Sequence, residues 1–178
     1  MAAGGEVWVG DETGLREFPP LRAGWARLGE QAEVVVSGRN ARRTVFGAPN
    51  AATGELVRLV RPRGRTADAV ALVEALGAVR PGVPRLLVWD DAPPHHPKLV
   101  KAAAAEAGVE LAFLPFRSPE PMPLEDLWRG LKRVVAANRC YASMDELAER
   151  AEAWLDGMPD AERRRCGLDS SRFDWLPT

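Results

Sequence analysis

The sequence lacks the features that define several large classes of protein. It has two cysteines in 178 residues, too few for a disulfide framework, and their spacing does not match a metal site. No apolar run approaches the roughly 18 residues needed to span a bilayer. The first residues have neither the basic nor the apolar stretch of a signal peptide. These absences argue against a disulfide-stapled secreted domain and a membrane protein, and they predict a cytoplasmic chain.

An excess of charge of one sign is also missing, because 24 Lys and Arg residues balance 25 Asp and Glu residues and leave a net charge of -1. A uniformly basic nucleic-acid binder is therefore excluded. The balance hides a local excess, since residues 39–65 contain seven arginines and one acid. This segment predicts a surface that meets an anionic partner; the alternative is a solvated, arginine-rich face.

What is present indicates one globular domain with short elements. The length fits a single domain, and 46% hydrophobic residues suffice for a core. Apolar runs between turn residues predict strands, and 3.6-residue periodicity predicts helices. The predicted strands are Glu6–Val9, Ala32–Ser37, Arg43–Ala48, Leu56–Val60, Arg85–Trp89 and Val109–Phe113. The predicted helices begin near Thr66, Pro97, Pro123 and Ser143, and Thr66 and Ser143 are expected to cap theirs. An antiparallel meander followed by alternating helix and strand predicts an α/β fold.

Three acids stand at the ends of predicted elements. Asp11 follows the first strand, Asp90 ends the most apolar strand, and Glu125 lies in the first turn of a helix. If the first two strands are neighbours, Asp11 and Asp90 emerge at the same edge of the sheet. Gathered carboxylates favour Mg²⁺, and two ions about 3.5–4 Å apart support displacement at a phosphodiester. Taken singly, each acid has an ordinary alternative as a turn residue or a helix N-terminal residue.

Three motifs surround these acids. Residues 87–95 read L-V-W-D-D-A-P-P-H, and residues 114–132 read L-P-F-R-S-P-E-P-M-P-L-E-D-L-W-R-G-L-K. Residues 10–13 read G-D-E-T, and 34 residues lie between Asp90 and Glu125. In these motifs and in this spacing the chain resembles the mariner-type insertion-sequence transposases of the DDE superfamily, over about residues 6–135. It departs from their pattern at Asp91, where the family has Asn, and at 121–122, where Pro-Met replaces Leu-Asn.

The resemblance implies a ribonuclease-H-like fold, a mixed sheet with helices on both faces. It also implies that Asp11, Asp90 and Glu125 are catalytic ligands of two Mg²⁺ or Mn²⁺ ions. Family members use these ions to cut DNA at transposon ends and to transfer the strand. Lys132 matches the family motif and is predicted to bind DNA. Further candidates for DNA binding are Arg129, Arg133, Arg61, Arg63 and Arg65, and supporting roles are predicted for Glu12, Asp91 and His95. For the cations of the helix that begins near Pro123, the alternative is a solvated face with ion pairs. For His95, the alternative is a structural histidine. Trp128 is interpreted as a packing residue.

Complete members of this family carry helix-turn-helix domains ahead of the catalytic domain, whereas ten residues precede Asp11 here. We therefore expect a catalytic domain over 1–140 and a helical extension packed on it over 141–178. The expected partners are DNA, a separate helix-turn-helix polypeptide and a second copy in a homodimer, and DNA binding would place the chain on the nucleoid. One alternative is a truncated or repurposed fragment that binds DNA or a partner without catalysis. A nucleotide-binding or receiver-like domain is disfavoured, because no Gly-rich loop follows any strand.

Overall fold

The computed structural model describes residues 4–90, 97–114 and 124–168, and within these ranges it has six strands and five α-helices. The strands are β1 (Glu6–Val9), β2 (Asp11–Arg16), β3 (Arg42–Pro49), β4 (Leu56–Arg61), β5 (Arg85–Trp89) and β6 (Val109–Phe113). The helices are α1 (Thr66–Val79), α2 (Lys98–Glu106), α3 (Glu125–Leu131), α4 (Met144–Gly157) and α5 (Asp160–Gly167). A π-helical turn, Lys132–Ala136, continues α3.

The strands form two three-stranded sheets that are joined at Gly10. β1 pairs in parallel with β5, and β5 with β6, whereas β2 pairs antiparallel with β3, and β3 with β4. Only Gly10 separates β1 from β2, and its amide still donates to the Val88 carbonyl at 2.8 Å. The parallel and the antiparallel halves thus share one continuous path of chain, which confirms the predicted mixed α/β fold.

Helices cover both faces of this sheet, and each face has its own core. α1 and α2 pack on the face that carries Trp8, Phe46 and Leu87. α3 and α4 pack on the opposite face, which carries Val9 and Leu15. Trp8 and Val9 are both fully buried because successive residues of a strand point to opposite faces. Each fully buried Val, Leu or Phe side chain contributes roughly 1.5–3 kcal/mol.

The strand predicted at Ala32–Ser37 is wrong. This segment contains no strand, and Val35 is 81% exposed. β3 pairs instead with β2, a strand that the sequence did not predict, in which Thr13 and Leu15 alternate and are buried. A run of valines has strand propensity, but a strand is stable only where one of its faces packs against a core.

The predicted helices α1, α2 and α4 are confirmed, with one difference at a cap. Thr66 was expected to cap α1, but Arg65 is the capping residue, and its amide donates to the Asp68 carboxylate at 2.9 Å. Ser143 caps α4 as predicted and accepts from the Glu146 amide at 3.1 Å. Within the described ranges, no helix is both long and apolar enough to cross a bilayer.

A buried arginine holds α5, which the sequence did not predict. Arg163 is 4% exposed and donates to the carbonyls of Gly54, Leu155 and Met158 at 2.7–2.8 Å. These bonds tie the turn between β3 and β4 to the end of α4. The helical residues after 140 therefore pack on the same core as the sheet, whereas the domain boundary at residue 140 stays a prediction.

Candidate active site

Two carboxylates meet where β1 passes into β2. Asp11 is the first residue of β2, and Asp90 directly follows β5, the parallel neighbour of β1. The two are close enough that the negative charge of Asp90 raises the pKa of Asp11. The structure thus brings together two of the three acids that the sequence singled out. Their catalytic role stays a prediction.

An indole ring holds Asp11 from the other side. Trp128 Nε1 donates to Asp11 Oδ2 at 2.8 Å, across 117 positions of sequence. Trp128 is 4% exposed and packs with Leu127 and Leu131 of α3 in the core below β2. The sequence predicted packing for this residue, and the structure adds a hydrogen bond that connects α3 to the first acid.

Gly47 makes room for this ring. Gly47 lies opposite Asp11 in the register of β2 and β3. A Cβ atom at this position would lie 2.6 Å from Cη2 of Trp128, closer than real contacts allow. The missing side chain therefore forms the slot through which the indole reaches Asp11. A glycine inside a strand pattern signals such a close approach, and this was the one clue the sequence offered.

Burial and charge both raise the pKa of Asp11, from 3.8 to about 7. Burial is the largest cause because it disfavours the carboxylate form, and the negative charges of Glu12 and Asp90 act in the same direction. Hydrogen bonds from the Glu12 amide and from the Trp128 indole favour the carboxylate and lower the pKa. A bound divalent cation would relieve both the burial of charge and the repulsion between the acids.

Glu125 is placed differently from the other two acids. It is the first residue of α3, its side chain is 69% exposed, and it lies 3.3 Å from Arg129. Across the described ranges, no three Asp, Glu, His or Cys side chains converge closely enough to hold a metal ion. Glu125 is nevertheless one helical turn from Trp128, which contacts Asp11. The predicted third ligand is thus near the junction but does not complete the cluster.

Of the three residues predicted to have supporting roles, the structure describes one. Glu12 follows Asp11 in β2 and is partly buried. Asp91 and His95 lie outside the described residues, so their predicted roles stay predictions.

Three of the predicted DNA-binding residues lie on α3 or on the π-helical turn that continues it. Arg129 pairs with Asp126 at 2.7 Å as well as with Glu125. Lys132 and Arg133 belong to the π-helical turn, in which the first is partly buried and the second is exposed. Arg129 and Arg133 line the same surface pocket, and DNA binding by these three residues stays a prediction.

The remaining predicted DNA-binding residues lie at the end of β4. Arg61 is the last residue of β4 and lies 3.6 Å from Asp68 of α1. Arg63 and Arg65 are exposed in the loop that leads to α1. These three form a second group at the end of the sheet, separate from the group on α3.

Comparison with known proteins decides the family. The sequence profile described as DDE superfamily endonuclease matches residues 6–148. The chain belongs to this family. The matched range of this DDE superfamily endonuclease contains Asp11, Asp90 and Glu125. A search of the curated proteins found no match.

Solved structures establish the fold of this DDE superfamily endonuclease. The Mos1 strand transfer complex superimposes with a TM-score of 0.69 at 15% identity, over 93% of this chain and 51% of that one. The mariner Mos1 paired end complex with Mg gives 0.68 at 17% identity, over 90% and 50%. The catalytic domain of Mos1 mariner transposase gives 0.61 at 15% identity, over 89% and 74%. The fold is ribonuclease-H-like, and the chain spans about half the length of the Mos1 chains in the two complexes.

Proposed function

We propose that this DDE superfamily endonuclease is the catalytic domain of a transposase. It would cleave DNA at transposon ends and join the freed 3′ end to target DNA, both by in-line displacement at phosphorus. The observation that carries the proposal is the placement of Asp11 and Asp90 at the ends of neighbouring strands beside Gly10, with Asp11 held by the hydrogen bond from Trp128. Family membership and the fold shared with the Mos1 complexes support it.

Asp11 and Asp90 suit a hard divalent cation, and we propose Mg²⁺ or Mn²⁺. Their oxygen donors are the type these ions prefer, and a bound cation would offset the burial and the neighbouring negative charges that raise the pKa of Asp11. One structural neighbour, the mariner Mos1 paired end complex with Mg, is consistent with this choice. A pair of such cations would supply an activated water and stabilise the leaving oxygen.

The residues of the chain have distinct parts in this scheme. Asp11 would hold a cation as the carboxylate and would release its proton to solvent, because the carboxylate is the liganding form. Trp128 keeps the Asp11 carboxylate in one orientation through the bond to Oδ2. Glu125 is proposed as the third ligand, and to act as one it would have to exchange its contact with Arg129 for the metal.

DNA is the proposed substrate, with its phosphates near the basic residues of α3 and of the loop after β4. These residues are Lys132, Arg129, Arg133, Arg61, Arg63 and Arg65. We further propose that a separate helix-turn-helix polypeptide recognises the transposon ends, that two copies assemble on paired ends, and that the chain acts on the nucleoid in the cytoplasm.

Nicking of supercoiled plasmid DNA tests the proposal. The wild-type chain is expected to nick DNA in Mg²⁺ or Mn²⁺ and to be inactive in EDTA, because the carboxylates act through the metal. Asp90→Ala and Glu125→Gln are each expected to abolish nicking. Glu110→Gln, which changes an exposed acid of β6, is the matched control and should nick like the wild type.

Two results would redirect the assignment. Nicking retained by Asp90→Ala, at a purity that excludes contaminating nucleases, would contradict it. Metal and DNA binding without nicking, with and without a helix-turn-helix partner, would favour a repurposed fragment that binds but does not cut. The contact between Glu125 and Arg129 is the observation that favours this second candidate.

A further inference from the structure

A pocket lined by arginines lies at the opposite end of the antiparallel sheet from Asp11. It has a volume of about 490 Å³, and four arginines contribute to its wall. They are Arg16, Arg42, Arg43 and Arg63, and we call this site the basic pocket. Its volume lies within the range of ligand sites, but such sites are predominantly apolar, whereas guanidinium groups dominate here. The chemistry of the wall therefore selects an anion.

The strand register explains why these arginines converge. Arg16 ends β2 and pairs directly with Arg42, the first residue of β3. Arg43 is the next residue of β3, and Arg63 follows the end of β4, the neighbour of β3 on its other side. Each of these three strand ends thus brings at least one arginine to the same edge of the antiparallel sheet. No motif of the sequence joined Arg16 to the arginine-rich segment 39–65.

The positive charge of the basic pocket is largely uncompensated. Arg43 pairs with Asp145 of α4 at 2.6 Å. Arg16, Arg42 and Arg63 have no carboxylate within 4 Å among the residues that the structure describes. Cations held side by side repel one another, and like charges directly opposite on paired strands are destabilising. A bound anion would remove this repulsion, as guanidinium groups bind phosphate strongly.

We propose that the basic pocket binds the phosphate backbone of DNA. The inference deepens the proposed function, because it names a DNA contact away from the site of cleavage. Asp11 and Arg16 lie at opposite ends of β2, five residues and therefore about 17 Å apart along the strand. At 3.4 Å per base pair this distance equals about five base pairs of duplex. Three strand ends with separate arginines suit several phosphates of one backbone better than one free anion.

The salt dependence of DNA binding tests this pocket directly. The full chain is titrated onto a fluorescent 30-base-pair duplex in EDTA, at several salt concentrations. The triple variant Arg16→Gln, Arg42→Gln and Arg63→Gln removes the three unpaired charges. We expect it to make the negative slope of log K against log salt shallower by about 2–3, since each lost phosphate contact removes about 0.9 from its magnitude. A matched triple variant, Arg27→Gln, Arg150→Gln and Arg165→Gln, removes the same charge from exposed sites elsewhere and should change the slope little.

Each outcome decides for or against the inference. Equal slopes for the two triple variants would overturn it, because net charge alone would then explain binding. Competition by inorganic phosphate in the low millimolar range, with the DNA slope unchanged in the pocket variant, would also overturn it and identify a site for a free anion.

The test is independent of the proposed catalysis. Binding in EDTA does not require a metal at Asp11 and Asp90. Failure of the wild-type chain to nick DNA would therefore count against the proposed catalysis alone, whereas equal salt slopes would count against the basic pocket, including the phosphate contact proposed for Arg63, and would leave the catalysis untouched.

Discussion

The two ends of β2 differ both in the sign of their charge and in their contact with water. At the first end, Asp11 is largely shielded beside Asp90, and its pKa is raised to about 7. At the other end, Arg16 and Arg42 are exposed to solvent. Water stabilises an exposed charge, whereas a buried charge needs a partner or gives up its proton. The acidic end is therefore suited to a tightly held cation, and the basic end to a loosely held polyanion.

The largest expected effect is the pH dependence of folding stability that Asp11 causes at the acidic end of β2. The pKa of Asp11 in the folded chain lies above its ordinary value, so between about pH 4 and pH 7 the folded chain keeps a proton that the unfolded chain has lost. Folding stability therefore falls as pH rises through this window. Asp11→Asn cannot ionise and is expected to be more stable than the wild type at pH 8, by up to about 4 kcal/mol.

Urea unfolding in EDTA at pH 4 and pH 8 measures this effect. Near pH 4 the wild-type carboxyl is already neutral in the folded chain, so the advantage of the Asn variant should be close to zero there. The same difference between the two proteins at both pH values would contradict the burial of Asp11 as the source of the shift.

The next effect concerns the hydrogen bond to Asp11. Trp128→Phe keeps an aromatic ring on α3 but removes the donor, so the carboxylate loses its fixed orientation. Loss of such an outer contact weakens metal binding typically 10–100-fold, and we expect Mn²⁺ affinity to fall within this range. Isothermal titration with Mn²⁺ measures it.

Trp154→Phe is the matched control for this variant. Trp154 packs against the same core on α4 but is not bonded to Asp11. Equal Mn²⁺ affinities for the two Phe variants would show that Trp128 has a packing role only.

A somewhat smaller effect is expected at Gly47, whose missing side chain leaves the slot for the Trp128 indole. Gly47→Ala places a methyl group against the indole ring, and overpacking of this kind typically costs about 1–3 kcal/mol. A phenylalanine at 128 lacks the outer part of the indole, so the same change should cost much less in the Trp128→Phe background. Urea unfolding of the four proteins of this cycle measures the difference. Strictly additive costs would mean that Gly47 does not act through Trp128.

The smallest effect is expected at the basic end. Arg16→Gln removes an exposed charge without a carboxylate within 4 Å among the described residues, and such surface changes usually alter stability by less than about 0.5 kcal/mol. Thermal unfolding at pH 5 and pH 8 should give nearly the same small change. A pH-dependent change in stability as large as that expected for Asp11→Asn would contradict the contrast between the two ends of β2.

Much of the fold could be predicted because it depends on local pattern. The apolar run of Arg85–Trp89, with turns on both sides, predicts a buried strand, and parallel strand ends place Asp90 near Asp11. β2 could not be predicted in the same way. Its segment, D-E-T-G-L-R, begins with turn residues and gains its strand conformation from pairing with β3. The tertiary partner, and not the local propensity, decides between β2 and the wrongly predicted Ala32–Ser37.

The candidate site shows the same division between local and tertiary information. The acids were visible from their positions at the ends of elements and from the motifs around them. The bond from Trp128 to Asp11 spans 117 positions and depends on how α3 packs on the sheet, which no local pattern contains. The basic pocket also depends on register, because Arg16 and Arg42 become neighbours only through pairing of β2 with β3.

The most direct test of the central claim, that Asp11 and Asp90 form a divalent-metal site, is the electron paramagnetic resonance signal of free Mn²⁺ during titration with the chain at pH 8. We predict that the wild-type chain removes Mn²⁺ from solution, that Asp90→Ala does not, and that Glu110→Gln behaves like the wild type. Equal Mn²⁺ binding by the wild type and by Asp90→Ala would contradict the account.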